Sequence, residues 1–219
     1  MANKELINSI VDAIIAEIHR GKSYVTEFDL SVTLKVSRTR LRESIQALQT
    51  YGIITKRQKC GITLAQPNRK NLNESYLLRE MLGKLITDAV LKNITERDCD
   101  RLEKIDFRVI EAFRDQDYPA LLRHDLEFHH TFVDIGQMRI ASQILHNLHY
   151  LNYAYMAPLV QKINGASENH VSHQEIIDSL RHRDAACYKL VKQHLNHARK
   201  FLLKHCPAET NNSVPEIII

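Results

Sequence analysis

Glycine and proline are scarce, with six and five among 219 residues. A chain made largely of hairpins and tight loops needs more of both, so most of this one is expected to be helical. Cysteine is sparse too. Cys60, Cys99, Cys187 and Cys206 are widely separated and form no CxxC pair, which argues against a thiolate zinc site or a disulfide framework and fits a reducing cytosol. No stretch approaches the roughly 18 consecutive apolar residues of a membrane-spanning helix. The opening MANKELINSIVDAII lacks the basic stretch, apolar run and small-residue cleavage site of a secretory signal, so a cytoplasmic location is expected. There is no nucleophile elbow and no phosphate-binding glycine loop, and catalysis is not expected.

What is present divides the chain in two. The length allows one large domain or two modest ones. Hydrophobic residues make up 44% and charged residues 26%, as in an ordinary globular protein. Residues 1–67 carry ten Lys/Arg against six Asp/Glu, whereas the remainder carries twenty of each. The excess is steepest at Lys35, Arg38, Arg40, Arg42, Lys56, Arg57 and Lys59, which face only Glu43. Histidine is distributed the other way, with His19 alone in the first 67 residues and eleven after it. Two charge chemistries imply two kinds of partner.

In the first third, Leu6, Ile10, Ala13, Ile14 and Ile18 recur at helical spacing and predict a helix over about 3–20, stopped by Gly21. Thr26 and Asp29 have the spacing of a capping box and open a short helix through Leu34. Ser37 suits the N-cap of the next helix, whose apolar face is Leu41, Ile45 and Leu48, and Tyr51-Gly52 ends it. Ile53-Ile54-Thr55 and Ile62-Thr63-Leu64 then read as two strands of a hairpin joined by a basic connection containing Gly61. Helix, helix, turn, helix and hairpin make a winged helix-turn-helix. A recognition helix presents its N-terminal residues to base edges and phosphates. Here these are Ser37, Arg38, Thr39, Arg40 and Arg42, with Lys56 and Arg57 in the wing. Arginine can fork onto guanine, while hydroxyls and helix N-terminal amides suit phosphate.

The segment KVSRTRLRESIQALQTYGIITKRQKCGI resembles the recognition region of GntR-type regulators, through Val36, Ser37, Arg38, Thr39, Arg42, Glu43, Leu48, Gly52, Ile54 and Gly61. The resemblance implies DNA contacts by Ser37, Arg38, Thr39 and Arg42, with Gly61 at the wing tip. Arg40 stands where that pattern has proline and adds a charge, and the connection from Gly21 to Thr26 is short for the family.

Beyond a linker at Gln66-Pro67-Asn68, helical patterning predicts six helices, over about 71–91, 95–114, 117–135, 138–163, 172–182 and 184–205. The expected domains are 1–66, a winged helix-turn-helix; 67–206, an all-helical effector and dimerisation bundle; and 207–219, a flexible tail. Asp125 and His129 are four apart, on one helix face, and could reach one metal. His170, His173, His194 and His197 are further candidates. Asp125-Leu126-Glu127-Phe128-His129, His173 with Ile176-Ile177, and Asp184 through His194-Leu195 resemble three motifs of the FCD effector domain of FadR-type GntR regulators. The resemblance implies metal ligands Asp125, His129, His173 and His194. It leaves His197 and His170 as alternatives, because the last segment is one residue short of the usual pattern and His170 lies near His173. A carboxylate with neutral imidazoles suits a divalent transition metal, zinc first, with nickel, manganese or iron as alternatives. Ser172 stands where the family often has glutamate, and Gly83 likewise replaces one near Arg79. Arg79 itself inherits the role of pairing an effector carboxylate. Tyr150, Tyr153 and Tyr155 at their spacing read first as core.

The function expected is a homodimeric regulator that binds a roughly palindromic operator in double-stranded DNA, its affinity modulated by a small carboxylate at the metal-containing pocket. A metal sensor without an organic effector and a metallohydrolase are the alternatives.

Overall fold

The computed structural model describes residues 4–57, 61–160 and 172–206. Lys59, Cys60, His170 and the tail from 207 lie outside the described residues, as does the side chain of Arg57. Among the described residues no helix is long and apolar enough to cross a membrane.

The N-terminal third runs α1 (Lys4–His19), α2 (Glu27–Leu34), α3 (Arg38–Thr50), β1 (Ile54–Arg57) and β2 (Gly61–Leu64). Its local signals act as the sequence predicts. The Thr26 hydroxyl accepts from the Asp29 amide at 3.1 Å while the Asp29 carboxylate accepts from the Thr26 amide, closing the capping box on α2. Ser37 caps α3, its side chain accepting from the Arg40 amide. The strands pair antiparallel from Ile54↔Leu64 to Arg57↔Gly61, and Val25 bridges to Ile62 as a short third rung. Gly61 stands beside that rung. At φ +78°, an added Cβ would lie 2.3 Å from the Tyr24 ring and 2.8 Å from the Val25 carbonyl oxygen. Glycine is thus required here both by the left-handed backbone and by the close approach of the neighbouring chain.

The bundle comprises α4 (Arg69–Asn93), α5 (Glu96–Arg114), α6 (Tyr118–Ile135), α7 (Arg139–Met156), α8 (His173–Arg181) and α9 (Cys187–His205). Asn68 caps α4, and a second capping box, Thr95 with Asp98, opens α5. α7 stops at Met156, short of the expected 163, because Pro158 has no amide hydrogen to continue the ladder. One hydrophobic cluster spans both halves: Ile10, Ile14, Leu41 and Ile62 share it with Leu122, Leu126, Tyr150 and Tyr153. The winged helix-turn-helix therefore rests on α6 and α7. Cys99, Cys187 and Cys206 are buried thiols.

Candidate DNA-reading face and histidine cage

Along α3, Leu41, Ile45 and Leu48 are buried, which turns Arg38, Thr39, Arg40 and Arg42 outward. All four are exposed, as is Ser37 at the cap. Lys56 projects from β1 near the same helix, because one carboxylate holds both. Glu27 accepts from Arg42 Nε at 2.9 Å and from Lys56 Nζ. Those two cations, Lys56 first, keep the Glu27 carboxyl below its ordinary range. Glu27 thus ties α2, the recognition helix and the wing into one basic surface. Sequence reasoning missed it, since as the first residue of α2 it reads only as favourable charge at a helix start. Gly61 opens β2 opposite Arg57 and meets Tyr24 and Val25, an internal packing demand that the resemblance did not imply.

The bundle gathers a second constellation. α6 carries Asp125 and His129 on one face, α8 begins with His173, and α9 contributes His194. One nitrogen from each of the three histidines lies within 4.8 Å of the other two. His129 Nε2 stands 3.4 Å from His194 Nε2 and 3.7 Å from Asp125 Oδ2, and His173 Nε2 is 3.5 Å from Asp125 Oδ1. His197 lines the adjoining cavity outside this cluster.

His173 is the most tightly controlled of these rings. Phe128 stacks on it at 3.8 Å, and its Nδ1 donates to the buried carboxylate of Asp106 at 2.9 Å. That bond fixes the tautomer and leaves Nε2, which is buried and makes no hydrogen bond, as a lone pair turned toward the other two imidazoles. Ser172 places the ring as well. Its hydroxyl accepts from the Glu175 amide, and the Glu175 carboxylate accepts from the Ser172 amide at 2.8 Å. The serine that departs from the family pattern is therefore an N-cap that starts α8 at His173.

Burial, then the neighbouring His194, holds His129 well below the ordinary imidazole pKa. It is a neutral donor at neutral pH, as a metal requires. Enclosure raises the Asp125 carboxyl, against the pull of His173 and Arg79. Three imidazoles and one carboxyl group facing each other with an orphaned nitrogen fit a divalent transition metal.

Beside the cage lies Arg79 of α4. It is 2% exposed, and neither Nε nor Nη1 makes a hydrogen bond. Its guanidinium carbon lies 4.8 Å from the centre of the Tyr76 ring, whose hydroxyl donates to Asn152. His149 of α7, another residue that sequence reasoning missed, is also buried with an unpartnered Nδ1, its pKa pushed well down by burial and then by Arg79. Arg79, Asp125, His129, His149, His173 and His194 all border one cavity of about 370 Å3. The tyrosines divide their roles. Tyr155 packs in a separate core cluster, whereas Tyr150 and Tyr153 donate to Asn8 and Asp12 of α1. Tyr153 borders the cavity as well.

A winged helix-turn-helix seated on a helical bundle is the architecture of a DNA-binding transcriptional regulator. The chain belongs to the FCD domain family, whose profile matches residues 74–197. It is 26% identical to the uncharacterized HTH-type transcriptional regulator YcbG of Bacillus subtilis (strain 168), across 92% of this chain and 90% of that one. With YdhC of the same strain, also an uncharacterized HTH-type transcriptional regulator, identity is 23% over 58% of this chain and 57% of the relative. The fold is similar to that of E. coli McbR/YncC, with a TM-score of 0.69 at 15% identity over 92% and 94% of the two chains. A GntR family member from Pseudomonas syringae pv. tomato str. DC3000 has a TM-score of 0.52 at 14% identity over 84% and 78%. This is a transcriptional regulator of the GntR/FCD type; its relatives and its fold are those of regulators, not of enzymes.

Proposed function

We propose that this regulator binds a roughly palindromic operator as a homodimer in the cytoplasm and that a carboxylate effector in its metal-containing cavity sets the affinity. The single observation that carries the effector half is Arg79, a buried guanidinium with no ion-pair partner among the described residues, beside the cage of Asp125, His129, His173 and His194. A guanidinium excluded from water needs a charged partner, and a carboxylate matches its fork. The four cage residues would hold the metal, zinc being first among the candidates. Once bound, the metal supplies a Lewis-acidic centre to which a second ligand oxygen can bind. Arg79 would orient the carboxylate and His149 would offer a further hydrogen bond.

Contacts to DNA fall to Ser37, Arg38, Thr39, Arg40 and Arg42 from the recognition helix, with Lys56 and Arg57 along the wing and Gly61 shaping its tip. Pairing of two copies is supported by Leu77, Leu78, Met81 and Leu85, large apolar side chains left exposed along α4, Met81 by 71%. Such a stripe is unusual on a monomer.

Two measurements test the reading. Replacing Arg38 and Arg42 together with alanine should weaken operator binding by at least about 2 kcal/mol, at about 1–3 kcal/mol for each base-reading arginine, in a gel-shift titration; full retention would refute the assignment. Elemental analysis of the purified protein should find close to one transition metal per chain, lost in His129→Ala.

A further inference from the structure

The polar end occupies only part of the cavity, and the rest bears on the remainder of the ligand. A volume of about 370 Å3 falls within the roughly 300–1,000 Å3 typical of small-molecule sites. An acid of two or three carbons would leave most of that space as water against apolar walls.

The lining is graded along four helices. Each places a polar residue at the cage end and an apolar one about two turns away: Asp106 and Phe113 on α5, His129 and Leu121 on α6, His149 and Met156 on α7, His194 and Phe201 on α9. The polar members converge, with the rings of His149 and His194 each 5.2 Å from that of His129 and Asp106 bonded to His173. Seven or eight residues at about 1.5 Å each put the apolar end on the order of 10–12 Å from the cage. Val109, Leu122, Leu126 and Ala198 line the walls between, beside Asn152, Tyr153 and His197, and no lysine or second arginine is among the described lining residues. A second carboxylate would therefore meet no lysine or arginine along this arm to offset its desolvation. At the far end Ile110 and Phe113 reach the surface, which gives a long chain room to enter.

We propose that the effector is a monocarboxylate with an extended apolar tail, its head at Arg79 and the cage and its tail along the arm between Val109, Phe113, Leu122, Met156 and Phe201. This rests on the carboxylate reading above and narrows it to one class of acid.

Titration calorimetry on the metal-loaded full-length chain tests it, using straight-chain acids from acetate to dodecanoate alongside lactate and succinate. Affinity should rise about fourfold per methylene, equivalent to about 0.8 kcal/mol each, until the tail outgrows the arm. Ala198→Phe narrows the arm without touching the head. It should shift the best-bound length downward and leave acetate and metal content unchanged, while Arg79→Met should weaken every acid. Affinity that does not change with chain length, or tighter binding of lactate or succinate than of octanoate, would overturn the tail while leaving the carboxylate reading standing. Binding of no acid at all, with Arg79→Met indistinguishable from the parent, would overturn both.

Discussion

Asp106 and His149 do much to define the cage, yet neither belongs to a motif. Asp106 sits 67 residues before His173 in the chain and meets it only because α5 packs near the start of α8. No spacing rule could have joined them. Asp125 and His129, by contrast, are legible as a pair because four residues return a helix to the same face, while His173 and His194 were two of four candidate histidines that the family resemblance singled out. Asp106→Asn preserves shape but removes the anion that fixes the His173 tautomer. Metal affinity, measured by competition with a chelating dye, should fall by about 10–100-fold with the circular dichroism unchanged. A pH effect follows from His129 and His149, both held below their ordinary pKa by burial. The unfolded chain protonates them near the usual value while the folded chain does not, so it is the unfolded state that binds more protons as pH falls. Stability conferred by their neutral forms is present above about pH 6.5 and is lost below it, by up to about 1.4 kcal/mol per pH unit for each group. The melting temperature of metal-free protein should therefore drop between about pH 7 and pH 5.

At the scale of elements, the capping residues were the most readable part of the sequence. Thr26, Ser37 and Thr95 each stand where their helices begin, since a hydroxyl that satisfies an otherwise unpaired amide is a local cause with a local effect. Helix ends were less readable. α7 ends seven residues earlier than its apolar pattern suggests, because periodicity alone gives no weight to the amide missing at Pro158. Ser172 stood out in the sequence only as a departure, although with Glu175 it has the spacing of a capping box. The hairpin was legible as two strands, but the bridge from Val25 was not, and that bridge sets the requirement at Gly61. Gly61→Ala combines a left-handed backbone, which costs a side chain about 1–2 kcal/mol, with a steric clash against Tyr24 and Val25. Operator affinity should fall and the melting temperature should drop by several degrees, with metal content unchanged; an unaltered wing would show that Tyr24 simply swings aside.

Across the whole molecule, the split between a basic third and a histidine-rich remainder implied two kinds of partner but not how closely the two parts of the chain are joined. Charge patterning reports on surfaces, whereas the shared cluster of Ile14, Leu41, Leu122 and Tyr153 is built from residues that look like core in either half. Tyr153 borders the cavity and its hydroxyl donates to Asp12 of α1. Burial, reinforced by Asp12, raises the Tyr153 pKa, so the phenol stays protonated and remains a donor. Tyr153→Phe should leave ligand affinity largely intact and shrink the change in operator affinity that ligand produces, a coupling expected to be about 5–150-fold in the parent. Gel shifts with and without ligand measure both, and an undiminished response would rule out this contact as the route. His149 and Tyr153 also lie on successive turns of α7. A stiff rod that faces the cage at one turn and is bonded at the next to the first helix of the DNA-binding half cannot roll at one without rolling at the other. If an effector acts as proposed, its occupancy would reach the operator without hinge or lid, through a small twist of a single spindle.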